Sequence, residues 1–256
     1  MRVLAVGDIV GKTGLNKLKE VLPKIINENK IDFVIVNGEN AAEGMGITEK
    51  IYRDILALNV DVVTMGNHTW GKKEIFNFID DKQIIRPANY PNNNPGKGYR
   101  IFECNNKKIA VINLIGRVTM GILSENPFLI AKDIVNQIKN TVDIIIIDFH
   151  AEATAEKIAL ARYLDGEITI LFGTHTHVQT ADEEIFPKGT AYISDIGMTG
   201  PKKSVIGMDV EASIKRFETS LPEKYKIAEG AGKLNSIMFE IDDNTNKVKE
   251  IKRINY

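Results

Sequence analysis

Five short apolar runs, each closely followed by polar side chains, constrain this chain more than any other feature of its sequence. The runs are typical of buried strands, and they are Val3–Val6, Phe33–Val36, Val60–Met65, Val142–Ile147 and Ile168–Phe172. Between the first three runs, apolar residues recur at helical spacing from about Thr13 and again after Thr48, which is expected to cap a helix. Strands that alternate with helices predict a parallel β-α-β core with its chemistry at the strand ends.

The middle and the C-terminal part of the chain predict additions to this core. Residues 87–98 are rich in proline and asparagine and predict a loop, and the two runs beside Asn105-Asn106 predict a hairpin. Other helices are expected at about 128–139, 152–164 and 209–218, and other strands near 178–186, 190–194, 235–241 and 247–252. The segment 197–207 is too glycine-rich for a strand and is expected to be a loop. Without a repeat or a clear linker, residues 1–256 are expected to form one domain.

The polar side chains that follow the five strands are of the kinds that bind metal ions. The carboxyl ends of parallel strands share one edge of a sheet, so residues far apart in the chain can meet there. The candidates are Asp8, Glu39, Asn40, Asn67, His68, His150, His175 and His177, and they include all four histidines of the chain. Carboxylate, amide and imidazole ligands without a thiolate suit manganese, iron, zinc, cobalt or nickel. Their number exceeds what one ion usually takes, which indicates a dinuclear site that Glu39 could bridge.

Two alternatives to a metal site remain open from the residues alone. The first alternative is a purely structural role. Taken singly, Asp8 or Asn67 would most often form a turn, and His150 would most often be a core histidine. A structural role for all five polar clusters at once would require five separate coincidences. The second alternative is a nucleoside triphosphatase, because Gly7–Thr13 resembles the phosphate-binding motif G-x-x-x-x-G-K-[ST]. The segment is one residue too short between its glycines, which removes a backbone N–H group from the phosphate cradle and argues against this alternative.

The same residues resemble the pattern of a known superfamily, the calcineurin-like metallophosphoesterases. The matching blocks are Gly7-Asp8, Gly38-Glu39-Asn40, Gly66-Asn67-His68, His150 and Gly173-Thr174-His175-Thr176-His177. Val10 stands where the superfamily usually has a histidine, and Glu39-Asn40 replaces a single aspartate. This variant set is similar to the YmdB-like bacterial phosphodiesterase family nearly from end to end. The resemblance implies an α/β fold, a four-layer α-β-β-α sandwich with two packed mixed sheets.

The resemblance also implies how the residues of the site divide the work. One metal ion would be bound by Asp8, Glu39, Asn40 and His177, and the other by Glu39, Asn67, His150 and His175. A hydroxide that bridges the ions would attack a phosphodiester in line, with His68 as the general acid that protonates the leaving oxygen. The implied cofactors are two ions of iron or manganese, in preference to zinc. The implied substrates are 2′,3′-cyclic nucleotides.

Charge and composition narrow the partners and the compartment. With 33 basic and 34 acidic side chains the formal charge is -1, so stable binding of a nucleic-acid polymer is not expected, although a local basic patch remains open. The sequence contains no run of about 18 apolar residues, so no membrane-spanning helix is predicted. Its single cysteine, Cys104, cannot form an internal disulfide, which indicates the reducing cytoplasm as the compartment. A homo-oligomer is expected from the resemblance alone. An alternative from another class is a metal-holding regulatory protein that acts by binding a partner.

Overall fold

A computed structural model describes residues 1–224 and 226–256 and divides them among five α-helices and two β-sheets. The helices are α1 (Gly11–Asn29), α2 (Glu49–Leu56), α3 (Pro127–Ile138), α4 (Thr154–Tyr163) and α5 (Val210–Thr219), with a 3-10 helix at Lys73–Asn77. The strands are β1 (Arg2–Val6), β2 (Asp8–Ile9), β3 (Phe33–Asn37), β4 (Val62–Thr64), β5 (Ile84–Ile85), β6 (Tyr99–Cys104), β7 (Lys107–Ile115), β8 (Ile144–His150), β9 (Ile170–Thr174), β10 (Glu184–Ile185), β11 (Ala191–Ile193), β12 (Met198–Pro201), β13 (Gly232–Ile241) and β14 (Val248–Asn255).

The larger sheet combines a parallel half with an antiparallel half. Its strand order is β2-β12-β13-β1-β3-β4-β5, and β14 pairs with β13. Strands β1, β3, β4 and β5 run parallel to one another, as expected for strands joined through helices, whereas β13 runs antiparallel to both β1 and β12. The parallel half therefore presents the carboxyl ends of β1, β3 and β4 at one edge.

The smaller sheet is parallel except at its two edges. Its order is β10-β11-β9-β8-β7-β6, with β7, β8, β9 and β11 parallel and the edge strands β6 and β10 antiparallel to their neighbours. The predicted β6–β7 hairpin is present. Its turn residues Asn105 and Asn106 both have positive φ, 50° and 60°, as a two-residue turn of this kind requires.

Three apolar clusters show that the molecule has four layers. Along β1, Leu4 and Val6 face α1 and α2, whereas Val3 and Ala5 face the smaller sheet, because side chains alternate along a strand. The middle cluster joins both sheets, and the third packs α3 and α4 against the outer face of the smaller sheet. The four-layer α-β-β-α sandwich with two mixed sheets is confirmed.

The helices begin and end close to the predicted residues. Helix α1 begins at Gly11, two residues before the expected start, and Thr48 caps α2 by accepting a hydrogen bond from the Ile51 N–H at 3.3 Å. In the part of the chain that the structure describes, no helix is both long enough and apolar enough to cross a bilayer.

The prediction of a loop over residues 197–207 is wrong for its first part. Residues Met198–Pro201 form the buried strand β12, which pairs with β13 and, in parallel, with β2. Two segments of the backbone approach each other closely at Gly7 and Gly197. A Cβ atom on Gly7 would lie 2.2 Å from the carbonyl oxygen of Gly197. Glycine is compatible with a strand where a neighbouring backbone leaves no room for a side chain.

Candidate metal centre

All eight candidate residues lie at the strand ends where the two sheets meet. The larger sheet brings Asp8, Glu39, Asn40, Asn67 and His68 from the segments that follow β1, β3 and β4. The smaller sheet brings His150, the last residue of β8, and His175 and His177, which follow β9. Hydrogen-bond and ion-pair contacts link these eight side chains into one connected group.

Glu39, His150 and His175 form the tightest part of the site. Each offers one ligand atom, and the three atoms lie within 4.8 Å of one another. The His150 Nε2 atom is 3.1 Å from Glu39 Oε1, 3.0 Å from His175 Nδ1 and 2.8 Å from Asn67 Oδ1. Lone pairs from two residues of each sheet therefore converge on one small volume.

Asp8, Asn40 and His177 form the adjoining part. Asn40 Nδ2 lies 3.2 Å from Glu39 Oε1 and 3.2 Å from His177 Nε2, so Asn40 connects the two parts. Asp8 is fully buried, and its Oδ1 atom accepts no hydrogen bond from any residue that the structure describes. The nearest imidazole nitrogens, on His177 and His150, are 3.8 and 3.9 Å away from this oxygen.

Hydrogen bonds on the far side of each imidazole select the nitrogen that faces the site. The Thr174 hydroxyl donates to Asp148 Oδ1 at 2.7 Å, so it accepts the Nδ1–H of His150 at 2.9 Å and leaves His150 Nε2 free. The Nδ1–H of His177 donates to the Ile206 carbonyl at 2.8 Å, which leaves Nε2 free toward Asn40. His175 directs Nε2 to Glu152 Oε2 at 3.2 Å and Nδ1 to the site.

The backbone around the site is held in unusual conformations. His175 and His177 have φ values of 103° and 63°, in the left-handed region that residues with a Cβ atom rarely adopt. Such strain costs about 1–3 kcal/mol per residue and persists where the surrounding structure enforces it. At Gly66 a Cβ atom would lie 2.3 Å from Glu39 Oε2 and 2.5 Å from the His150 ring, so only glycine leaves room for both side chains.

The buried carboxylates stabilise positive charge within the site. Burial lowers the pKa of His150, but the carboxylates of Glu39, Asp8 and Asp148 outweigh burial and raise that pKa to about 9. Burial raises the pKa of Glu39, but contact with His150 outweighs it and lowers that pKa to about 2. Burial and the neighbouring His150 lower the pKa of His175 to about 3. These groups thus stabilise one positive charge among anionic and neutral ligands.

The donor set fits metal ions. Carboxylate oxygens, amide oxygens and correctly oriented imidazole nitrogens are present together, and the unpartnered Asp8 Oδ1 adds an available anionic ligand. A cation would satisfy the converging lone pairs at once, whereas a proton can be shared by only two of them. Oxygen and nitrogen ligands without sulfur are typical of divalent first-row metals.

His68 lies beside the ligand cluster. Its backbone N–H donates to Glu39 Oε2 at 2.9 Å, and its Nδ1 atom is 2.7 Å from Asn40 Oδ1. Unlike the buried ring of His150, the His68 side chain is 28% exposed. The His68 ring can therefore meet a molecule that enters from solvent.

Several supporting residues could not be recognised from the sequence. Asp148 and Thr174 lie inside strands β8 and β9 and resemble ordinary strand residues until their contacts with His150 are known. Lys157 is fully buried and donates to Asp195 Oδ2 and to the Thr174 carbonyl, both at 2.9 Å. A lysine among the apolar residues of α4 was the available signal for this buried ion pair.

The structure does not support the phosphate-binding loop considered for Gly7–Thr13. Asp8 and Ile9 form strand β2, which pairs with β12, and helix α1 begins only at Gly11. Asp8 directs its side chain into the ligand cluster. The segment is therefore extended where a phosphate-binding loop would have to wrap around its ligand.

Comparison with known proteins gives matches over almost the whole chain. Residues 4–254 match a family model described as YmdB-like protein. A relative from Bacillus subtilis (strain 168), named 2′,3′-cyclic-nucleotide 2′-phosphodiesterase, is 51% identical over 255 residues, which cover 99% of this chain and 96% of the relative. A crystal structure described as a novel phosphatase from Mycoplasma pneumoniae has a TM-score of 0.95 at 39% identity and covers 100% of this chain and 93% of its own. The crystal structure of a hypothetical protein from Thermus thermophilus has a TM-score of 0.94 at 37% identity, and the match covers 100% of this chain and 99% of the other.

Proposed function

The chain belongs to the YmdB-like protein family, and from this membership and the ligand cluster we propose that it is a metal-dependent phosphodiesterase that hydrolyses nucleoside 2′,3′-cyclic phosphates. The observation that carries the proposal is the convergence of Glu39, His150 and His175 within 4.8 Å. The activity named for the Bacillus subtilis relative, which is 51% identical, supports the choice of substrate.

Two ions would be held by the residues that converge at the sheet edges. The first would be bound by Asp8, Glu39, Asn40 and His177, and the second by Glu39, Asn67, His150 and His175, with Glu39 shared. Iron or manganese suits this oxygen- and nitrogen-rich set better than a thiolate-preferring metal does. When bound, the ions would supply an activated water and stabilise the charge that develops on the phosphate.

His68 would act on the leaving group. Its Nδ1 atom is held against Asn40 Oδ1 at 2.7 Å, so the ring is oriented and Nε2 is the nitrogen that can present a proton to substrate. The oxygen of water bonds to phosphorus and its proton passes to solvent, the bond from phosphorus to one ribose oxygen breaks, and that oxygen takes the Nε2 proton of His68, which solvent then restores. The product is a nucleoside monophosphate, and a group positioned in this way contributes a factor of about 10²–10⁴ in rate.

The test joins metal analysis to an activity panel. Protein purified with iron or manganese is expected to carry about two transition-metal ions per chain and to hydrolyse adenosine 2′,3′-cyclic phosphate, with activity lost on chelation and restored by metal. Asn67→Ala should lose metal and activity, whereas Asn136→Ala, at an exposed position of α3, should lose neither. A folded chain without metal-stimulated activity would contradict the proposal. A metal-loaded chain without turnover would favour the partner-binding alternative.

Three broader expectations belong to the same proposal. The enzyme is cytoplasmic, which the single cysteine supports. It forms a homo-oligomer, and residues 1–256 act as one domain. Localisation of a tagged copy in cells and light scattering on the purified protein would test the first two, and a single unfolding transition shared by both sheets would test the third.

A further inference from the structure

Two solvent-filled clefts meet beside the N-terminus of α1. Their volumes are about 740 and 480 Å³, and Lys12 and Glu43 line both of them. Because they share these two residues they are neighbours, and the pair is called here the lysine cleft after the six lysines on its walls, which are Lys12, Lys19, Lys50, Lys72, Lys224 and Lys226.

The lysine cleft concentrates positive charge on a molecule whose formal charge is -1. Its carboxylates are Glu43, Asp54 and Glu229, half as many as its lysines. Lys19 pairs with Asp54 at 2.8 Å, Lys72 with Glu43 at 2.9 Å and Lys226 with Asp209 at 3.7 Å, so three of the six lysines have a carboxylate partner. Lys12, Lys50 and Lys224 form no ion pair with any residue in the described ranges 1–224 and 226–256. The lysine cleft is therefore a place on the surface that attracts anions.

The lysine cleft is linked to the candidate metal centre through the backbone next to Asn40. Ala41 and Ala42, which line it, directly follow Asn40, and the Asn40 carbonyl accepts the N–H of Gly11 at 3.0 Å. The next N–H groups of α1, on Lys12 and Thr13, have no hydrogen-bond acceptor among the residues described, and both residues line the cleft. Lysine side chains and the positive end of a helix thus occur together next to the proposed metal ligands.

We propose that the lysine cleft binds the phosphate on the 5′ oxygen of the nucleotide whose 2′,3′-cyclic phosphate is hydrolysed. This inference rests on the proposed function and specifies its substrate class. A ribose with a cyclic phosphate on its 2′ and 3′ oxygens has one further position for an anionic group, the 5′ oxygen. Such a phosphate occurs on a free 5′-phosphorylated nucleotide and at the end of an RNA fragment.

The contacts expected here are few and exposed. Ion pairs of solvent-exposed lysines contribute little each and weaken with salt. The cleft would therefore make the enzyme prefer cyclic nucleotides with a phosphate on the 5′ oxygen over those without one. It would not bind a long nucleic acid stably. The expected preference in kcat/KM is about tenfold at low salt, with a loss of about threefold for each lysine removed.

The kinetic experiment compares three substrates on the metal-loaded enzyme. They are adenosine 2′,3′-cyclic phosphate, its 5′-phosphorylated form, and a diadenosine dinucleotide that ends in a 2′,3′-cyclic phosphate. Lys12→Ala and Lys224→Ala should lower the preference for the two substrates with a 5′ phosphate, and Lys24→Ala should preserve it. Lys24 is a matched control because it is an exposed residue of α1 outside the cleft. Preference for both substrates identifies RNA ends as a source, and preference for the mononucleotide alone identifies free nucleotides.

A binding experiment keeps the inference separate from catalysis. In metal-free protein, adenosine 5′-monophosphate should shift the backbone NMR signals of Lys12 and Thr13, adenosine should not, and Lys12→Ala should weaken the effect. Equal kcat/KM on all three substrates, or a preference unchanged by both lysine substitutions, would overturn the inference. Binding in the cleft without hydrolysis of any cyclic substrate would refute the proposed function and would leave the cleft as a site for nucleotide 5′ phosphates that is not part of a cyclic-phosphodiesterase substrate site.

Discussion

The hydrogen bonds behind His150 determine which of its nitrogens can face a cation. Thr174 accepts from Nδ1 only because its own proton is donated to Asp148. Thr174→Val removes this link, so we expect metal affinity to fall about 10–100-fold, the range typical of such supporting contacts. Thr174→Ser keeps the hydroxyl and should restore most of the affinity. Isothermal titration calorimetry with the metal would measure the affinity of each variant. Equal affinities of the valine and serine variants would contradict the proposed role of the Thr174 hydroxyl.

His68 is expected to matter for the leaving group and not for metal content. His68→Ala should retain the metal of the wild type and lose a factor of about 10²–10⁴ in kcat on adenosine 2′,3′-cyclic phosphate. A nitrophenyl phosphodiester needs little help from an acid because its leaving group is stable as an anion, so the loss on that substrate should be much smaller. Equal losses on both substrates, with metal retained, would refute the role of general acid.

Much of the candidate site could be predicted residue by residue, for a physical reason. Parallel strands carry their carboxyl ends to one edge, so Asp8, Glu39 and Asn67 could be expected near one another, and His150 near His175 and His177. The meeting of these two groups depends on how the two sheets pack, which order along the chain does not specify. The protonation of each imidazole could not be predicted, because it depends on Thr174, Ile206 and Glu152, which meet the histidines only in the folded chain.

Between elements, the buried pair Lys157–Asp195 fixes the segment that carries two of the histidines. Lys157, on α4, contacts the Thr174 carbonyl, and Asp195 accepts the backbone N–H of Thr176 at 3.0 Å. One ion pair thus holds the end of β9 to the segment after β11. This arrangement stabilises the left-handed backbone at His175 and His177.

Removing one partner of this pair should be costly. Lys157→Met leaves Asp195 buried without its counter-charge, and we expect the free energy of unfolding of the metal-free protein to fall by about 3–5 kcal/mol. Lys249→Met is the matched control: Lys249 pairs with Glu240 at 2.7 Å but is 55% exposed, so its loss should cost less than about 1 kcal/mol. Urea unfolding would compare them, and equal midpoints would show that Lys157 does not act in this way.

Elements with periodic apolar residues were predictable, and elements made by neighbouring backbone were not. The helices after Thr48 and at 128–139 follow from their own patterns and caps. Strand β12 depends on β2 and β13, between which it lies, and on Gly7 and Gly14, which leave room for its backbone in a way that no local pattern reveals. The two-residue strands β2 and β5 are likewise too short to show a period.

At the scale of the whole molecule, the candidate metal centre lies between the two sheets. Asp8, Glu39 and Asn67 come from the side of the larger sheet, and His150 and His175 come from the side of the smaller sheet. Bound metal should therefore stabilise the folded chain, by about 2.7 kcal/mol when free metal is 100-fold above its dissociation constant. Calorimetric melting should show a higher Tm after manganese is added to chelated protein, and a smaller rise for Asn67→Ala. A Tm that does not respond to metal would contradict this linkage.

The place of β13 in the larger sheet has a consequence for how the protein is made. Residues 232–241 form a strand between β1 and β12, although β1 is translated long before them. Until that late segment emerges, the backbone of β1 has an open edge able to pair with other extended chains. The larger sheet is therefore completed only after β13 has been translated. Synthesis of this enzyme thus includes a vulnerable interval during which chaperones that cover exposed strands would be most useful.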